Sequence, residues 1–285
     1  MTATESRPFE LEHADEPGRV IRGRVELPTG RGSAARKLPH VLLLHGFKGF
    51  MDWGFFPDTA RRIAAAGFAA VRFNMSGSGV GEDLESFTDA ESFARNTVGR
   101  ELEDLARVRA WIREGGAGAL DPERASLVGH SRGGGVALLH AAETGDCRCV
   151  VTWASVASFD RFDETTKGLW RDRGFLPIQN ARTGRVLPLD VSVLEDLVSN
   201  RARYDLVRAC GNLHIPALLL HGTADESVPF RDAEILCAAL GEERARLIAV
   251  EGAGHTFGIG HPMKSPTSSW KRVVEATLDQ LQECG

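Results

Sequence analysis

Short apolar runs recur along the chain at Val41 to Leu44, Ala69 to Phe73, Ser126 to Val128, Val150 to Trp153, Ala217 to Leu220 and Leu247 to Val250. A strand with one wet face alternates apolar and polar residues, whereas a strand covered on both faces reads as a solid run. These runs therefore predict a mostly parallel sheet with helices on both sides. Between them the period becomes helical. Leu102, Leu105, Val108, Trp111 and Ile112 share one face, with Arg and Glu filling the other. Thr88 and Glu91 read as a capping box ahead of that helix, and Gly115 and Gly116 as its end. Near the C-terminus, Trp270, Val273, Val274, Thr277, Leu278 and Leu281 keep helical spacing after the start signal Ser265 and Pro266. Two opening strands, Phe9 to His13 and Arg19 to Leu27, flank a turn at Glu16, Pro17 and Gly18. Strands alternating with helices give an α/β class.

Composition narrows the function classes. The 285 residues carry 34 Lys plus Arg against 39 Asp plus Glu, a net charge of −5, so no basic excess invites nucleic acid or an anionic membrane surface. A hydrophobic share of 42% beside 26% charged residues excludes disorder, coiled coil and collagen. The apolar stretches Ala64 to Val71 and Ala217 to Leu220 fall short of the roughly 18 to 20 residues that span a bilayer. Met1 to Pro28 is charged throughout and lacks a signal-type apolar core, so a cytoplasmic location is expected. The 5 cysteines are odd in number and scattered, which reads as inert thiols rather than disulfides or a zinc site.

One segment breaks the alternation. Ser158 to Cys210 is polar and far longer than a usual crossover, with Trp170, Phe175 and a helical piece near Val191 to Val207. It is expected to be a cap or lid inserted into a single domain spanning residues 1–285.

The chemistry concentrates at three places. Gly129, His130, Ser131, Arg132 and Gly133 form a GxSxG motif, which follows one apolar run and precedes a helical stretch beginning Gly134 and Gly135. That context puts Ser131 on a strand-to-helix turn, where neighbouring Cβ atoms would collide. A serine hydroxyl needs a base, and histidine suits the task near neutral pH. His255, in Gly252 to Phe257, directly follows the last apolar run; His261 is the competitor. A carboxylate must orient the imidazole. Asp225 follows the run Ala217 to Leu220, with Glu226 as its adjacent rival. The order Ser131, Asp225, His255 places each group just beyond the carboxyl end of a predicted strand, the edge where α/β sheets collect ligands.

On these residues the sequence resembles the α/β-hydrolase superfamily from Val41 to the terminal helix. Within it, HGFKG, GHSRGG, HGTADESVP and GAGHTF resemble the dienelactone-hydrolase-related and cinnamoyl or feruloyl esterase-like branches. The resemblance implies an α/β-hydrolase fold with a short cap, and an oxyanion hole made by the backbone N–H groups of Phe47 and Arg132. It implies a serine carboxylesterase that acts on a small-molecule ester without a metal or organic cofactor. Dienelactone hydrolases use a cysteine where Ser131 stands, so dienelactone cleavage is not implied. An aminopeptidase or acylpeptide hydrolase is the alternative, and a non-catalytic binding protein on the same scaffold is a second. Oligomeric state is open, because no heptad announces an interface.

Other motifs carry less. GxGxxG from Gly77 would need glycine at 82, which is Glu82, and neither GxxxxGK[ST] nor HExxH occurs. His45 and His221 are expected to make structural hydrogen bonds. Trp53, Phe55, Phe56, Trp153 and Trp170 are candidates for an acyl or aryl pocket as well as for the core.

Overall fold

In the computed structural model, which describes residues 4–29, 37–180 and 184–285, the two sides of each apolar run feed different cores. Leu42, Leu44, Leu127, Val150 and Leu219 belong to one buried cluster. Their chain neighbours Val41, Leu43, Val128, Val151, Leu218 and Leu220 belong to another. Successive side chains on a strand point to opposite faces, so a sheet buried on both sides requires apolar residues at every position. Each such side chain contributes about 1.5 to 3 kcal/mol on full burial.

The elements run β1 (Thr4–Glu12), β2 (Val20–Pro28), β3 (Leu38–Leu44), α1 (Phe56–Ala65), β4 (Ala69–Asn74), α2 (Ala90–Ala94), α3 (Val98–Arg113), β5 (Leu120–His130), α4 (Arg132–Thr144), β6 (Val150–Trp153), α5 (Glu164–Arg173), β7 (Phe175–Gln179), β8 (Val186–Asp190), α6 (Val191–Ser199), α7 (Leu206–Gly211), β9 (Ala217–Gly222), α8 (Phe230–Leu240), β10 (Ala245–Val250) and α9 (Ser268–Cys284). Eight strands form one sheet in the order β1-β2-β4-β3-β5-β6-β9-β10. From β4 to β10 every pairing is parallel, while β1 and β2 add antiparallel at one edge. Residues of α1 and α9 cover one face, and those of α3, α4, α7 and α8 the other. This is the expected α/β-hydrolase arrangement. No helix among the described residues is long and apolar enough to cross a membrane.

Helix starts differ from the sequence reading. The box at Thr88 and Glu91 does not form: Asp89 caps the short α2 by accepting from the Ser92 N–H. Phe93 turns into the core, the chain bends, and α3 restarts with Thr97 accepting from the Arg100 N–H. At the far end Thr267, not Ser265, caps α9. Its hydroxyl accepts from the Trp270 N–H and donates to the Phe257 carbonyl, which ties the helix start to the loop following His255.

The segment from Ser158 to Cys210, of which 181–183 lie outside the described residues, holds α5, a hairpin of β7 and β8, α6 and most of α7. The helical piece foreseen near Val191 to Val207 is two helices, because α6 ends at Ser199 and the chain turns before Leu206. Trp170 is fully buried with Phe87, Phe93, Leu187, Leu189 and Leu194, and its Nε1 donates to the Leu189 carbonyl. The segment thus packs around a small core that it shares with Phe87 and Phe93.

Candidate active site

β5 delivers His130 to the carboxyl edge of the sheet, and the next residue, Ser131, takes φ 56° and ψ −122° before α4 begins at Arg132. For a residue with a side chain this conformation costs about 1 to 3 kcal/mol, and surrounding contacts must hold it. The Ser131 N–H donates to the Trp153 carbonyl, and its own carbonyl accepts from Gly134. The motif's first glycine is obligatory because a Cβ on Gly129 would stand 2.2 Å from the Gly133 carbonyl oxygen. The loop carrying Phe47 lies directly against this elbow. A Cβ on Gly46 would come within 2.9 Å of Ser131 Cβ and 3.1 Å of the His130 carbonyl oxygen.

The acid and the imidazole come from neighbouring strands. Val250 pairs with Gly222 at the carboxyl ends of β10 and β9, so the turns beyond them run side by side. Asp225 Oδ2 lies 2.8 Å from His255 Nδ1. Because a carboxylate only accepts, the Nδ1–H tautomer is assigned and Nε2 is the ring's unprotonated acceptor nitrogen. Asp225 Oδ1 accepts from the N–H groups of Ser227 and Val228, each at 2.9 Å. Glu226 is exposed. His261 is engaged elsewhere: its Nδ1 accepts from Gly54 and its Nε2 meets Glu85 at 2.7 Å.

Two further histidines support the pair, a role the sequence reading did not assign. His221 Nε2 lies 2.8 Å from the Val228 carbonyl and 3.4 Å from Asp225 Oδ2, so it donates beside the acid. Burial alone would raise the Asp225 pKa, but hydrogen bonds from His221, His255 and the Val228 N–H outweigh it and hold the carboxyl well below its usual range. His130 Nε2 lies 3.0 Å from the His255 carbonyl. Burial, aided by the adjacent His255, pushes the His130 pKa down to about 3, so this ring stays neutral and donates. His45 is likewise neutral by burial; its Nε2 accepts from the Met75 N–H, and its Nδ1 lies 2.9 Å from the Gly46 carbonyl.

Ser131 and His255 border one cavity of about 540 Å³, together with Phe47, Trp53 and Arg132. Phe159, Leu189, Val193 and Leu197 from the 158–210 segment complete its apolar wall. Lys48 and Arg161 lie on its border, and no Asp or Glu lines it among the described residues. Of the five aromatic candidates only Trp53 lines this cavity; Phe55, Phe56, Trp153 and Trp170 are buried in the cores. Arg132 opens α4, where an N–H has no intrahelical acceptor. Among the described residues no three His, Cys, Asp or Glu are grouped to hold a metal ion.

A sequence model of the prolyl oligopeptidase family matches residues 53–275, a span that includes Ser131, Asp225 and His255. The chain belongs to the prolyl oligopeptidase family. The uncharacterized peptidase YuxL of Bacillus subtilis (strain 168) is 25% identical over 265 residues, which are 91% of this chain and 37% of YuxL. The chain therefore spans little more than a third of that relative. Among solved structures, Est1E from Butyrivibrio proteoclasticus superposes with a TM-score of 0.69 at 15% identity, covering 97% of this chain and 98% of Est1E. The α/β hydrolase GrgF from Penicillium sp. sh18 gives 0.74 at 17% identity, covering 98% and 99%. These likenesses establish the α/β-hydrolase fold for this member of the prolyl oligopeptidase family.

Proposed function

We propose that this chain is a serine carboxylesterase that works through an acyl-enzyme. His255 Nε2 takes the Ser131 proton as Oγ bonds to the ester carbonyl carbon, and Asp225 stabilises the imidazolium. The carbonyl oxygen, now an anion, is held by the backbone N–H groups of Phe47 and Arg132, donors of a kind worth about 2.7 to 4 kcal/mol each to the transition state. Collapse breaks the bond to the alcohol oxygen, which leaves with the proton from His255. Water then gives a proton to the same base and attacks the acyl carbon, releasing the acid and restoring Ser131.

The observation that carries the reading is the Asp225–His255 contact at the border of the cavity that Ser131 also lines. A binding protein on this scaffold has no use for a strained serine and an oriented imidazole lining one cavity. The family match and YuxL favour peptide or aminoacyl amide cleavage as the second reading. The cavity argues against substrates with a free amine, which an acidic subsite would hold. The conceivable acids Glu82, Asp83 and Glu164 do not line it, and Glu164 pairs instead with Lys167. A structure of Est1E has ferulic acid bound, so an aryl acyl group is a sensible probe. We also assign the 158–210 segment as the cap of a single domain, since it supplies the apolar wall facing Ser131.

The test is turnover of p-nitrophenyl butyrate, methyl ferulate, thioesters and aminoacyl amides, with Ser131→Ala as control. Ester turnover and fluorophosphonate labelling that vanish in Ser131→Ala support the proposal. Faster cleavage of aminoacyl amides than of esters would replace it with the peptidase reading.

A further inference from the structure

The Arg132 side chain is tied into a buried polar cluster that adjoins the half-buried ring of the other proposed oxyanion donor. Its Nε–H donates to Glu101 Oε2 at 2.9 Å, and an Nη–H donates to the Asn96 carbonyl at 3.2 Å. The other Glu101 oxygen accepts from Asn96 Nδ2 at 2.7 Å. Only 12% of the Arg132 side chain and 6% of that of Glu101 is exposed. Against this anchored guanidinium lies the Phe47 ring, with its centroid 5.6 Å from the Arg132 guanidinium carbon. Phe47 is also stacked on Phe93, with ring centroids 5.4 Å apart.

We infer that Arg132 is a positioning residue whose side chain clasps the Phe47 loop to the nucleophile elbow and sets the spacing of the two oxyanion-hole N–H groups. This rests on the serine-hydrolase mechanism proposed above. The loop needs such a clasp because Phe47 lies beyond the end of β3, outside the sheet ladder, and is followed by Lys48 at φ 60°. His45 anchors the loop on its strand side. On the other side, the cation–π contact joins it to α3 through Glu101. A cation over a ring constrains the ring's distance without blocking its backbone N–H, which is the freedom an oxyanion donor requires.

Arg132→Met keeps the length and the backbone N–H while removing the guanidinium. Outright loss of one oxyanion donor costs on the order of 10² to 10³ in kcat. Displacing one should lower kcat on p-nitrophenyl butyrate by about 10- to 100-fold, with KM changed by less than about twofold. The affinity of a trifluoromethyl ketone, which forms the tetrahedral adduct, should fall in parallel with kcat. Arg132→Lys should recover part of both. Phe47→Leu, which removes the ring but leaves the Arg132–Glu101 pair, should lose kcat in the same way and serves if Arg132→Met does not fold. A folded Arg132→Met or Phe47→Leu protein with a lowered melting temperature but wild-type kcat and inhibitor affinity would overturn the clasp. Fluorophosphonate labelling of wild type but not Ser131→Ala, measured alongside, separates that outcome from failure of the mechanism itself.

Discussion

The 2.8 Å contact between His255 Nδ1 and Asp225 Oδ2 joins residues 30 positions apart because two parallel strands end together. With Val250 opposite Gly222, the turn after β9 and the turn after β10 leave the sheet at the same level. Each needs only a few residues to bring its functional group over the carboxyl edge. Asp225 is then held by three N–H donors, His255 and the backbones of Ser227 and Val228, with His221 Nε2 3.4 Å from Oδ2.

Those donors give the adjacent acids opposite outcomes. Asp225→Asn turns an acceptor that fixes the Nδ1–H tautomer into a group that can donate to it, and kcat should fall by about 10² to 10⁴. Glu226→Gln alters an exposed side chain and should stay within about twofold of wild type. Steady-state kinetics of the two variants check the assignment; equal losses would reject it.

The same carboxylate links stability to acid. Its folded pKa is held below the ordinary 3.8, so around that pH the unfolded chain binds the proton more readily than the native one. The stabilisation is therefore fully present above pH 3.8 and is lost as pH falls toward the lower folded value. Urea unfolding at neutral pH should find Asp225→Asn about 1 to 3 kcal/mol less stable than wild type. That gap should narrow on acidification below pH 4. A gap independent of pH would show that the charged form contributes nothing.

Much of this site was legible in the residues because its geometry is sterically exclusive. Almost nothing but glycine fits at 129, where a Cβ meets backbone, so the elbow announces itself. The strands were legible because burial on both faces leaves a solid apolar run. Asp225 and Glu226 were not separable by order alone, since the choice depends on which carboxyl accepts from the Ser227 and Val228 N–H groups in a folded turn. The cavity wall was also hidden. Its segment is polar, and what organises it is a buried cluster that Trp170 shares with Phe87 and Phe93, distant in sequence. Helix starts shifted for a similar reason: Thr267 wins over Ser265 because its hydroxyl also reaches the Phe257 carbonyl.

His221 is positioned to matter through Asp225. His221→Phe keeps a ring but removes the donor to the Val228 carbonyl and to the acid. It leaves one buried acceptor unpaired, a loss of about 1 to 3 kcal/mol in stability, and loosens the carboxylate that aligns His255. We expect kcat to fall by about tenfold, with KM little changed and the acid sensitivity of folding moved toward that of Asp225→Asn. Wild-type kcat in a folded His221→Phe protein would confine its role to packing.

The 158–210 segment bears on the length of acyl chain the site accepts. A second cavity, of about 740 Å³, lies beside the first and shares Ser158, Phe159 and Leu197 with it. Leu197, which is 5% exposed, therefore lines both chambers. Leu197→Ala removes part of that shared lining, at a stability cost of about 2 to 5 kcal/mol for a buried leucine. The opened space should admit longer acyl chains. The ratio of kcat/KM for p-nitrophenyl octanoate to that for the butyrate should rise severalfold, mostly through KM on the longer ester, because extra methylenes gain about 0.8 kcal/mol each on burial. Leu169→Ala, on the exposed side of α5, should leave the ratio unchanged. An unaltered ratio in folded Leu197→Ala would mean that the acyl chain leaves Ser131 along another wall, such as the one lined by Trp53.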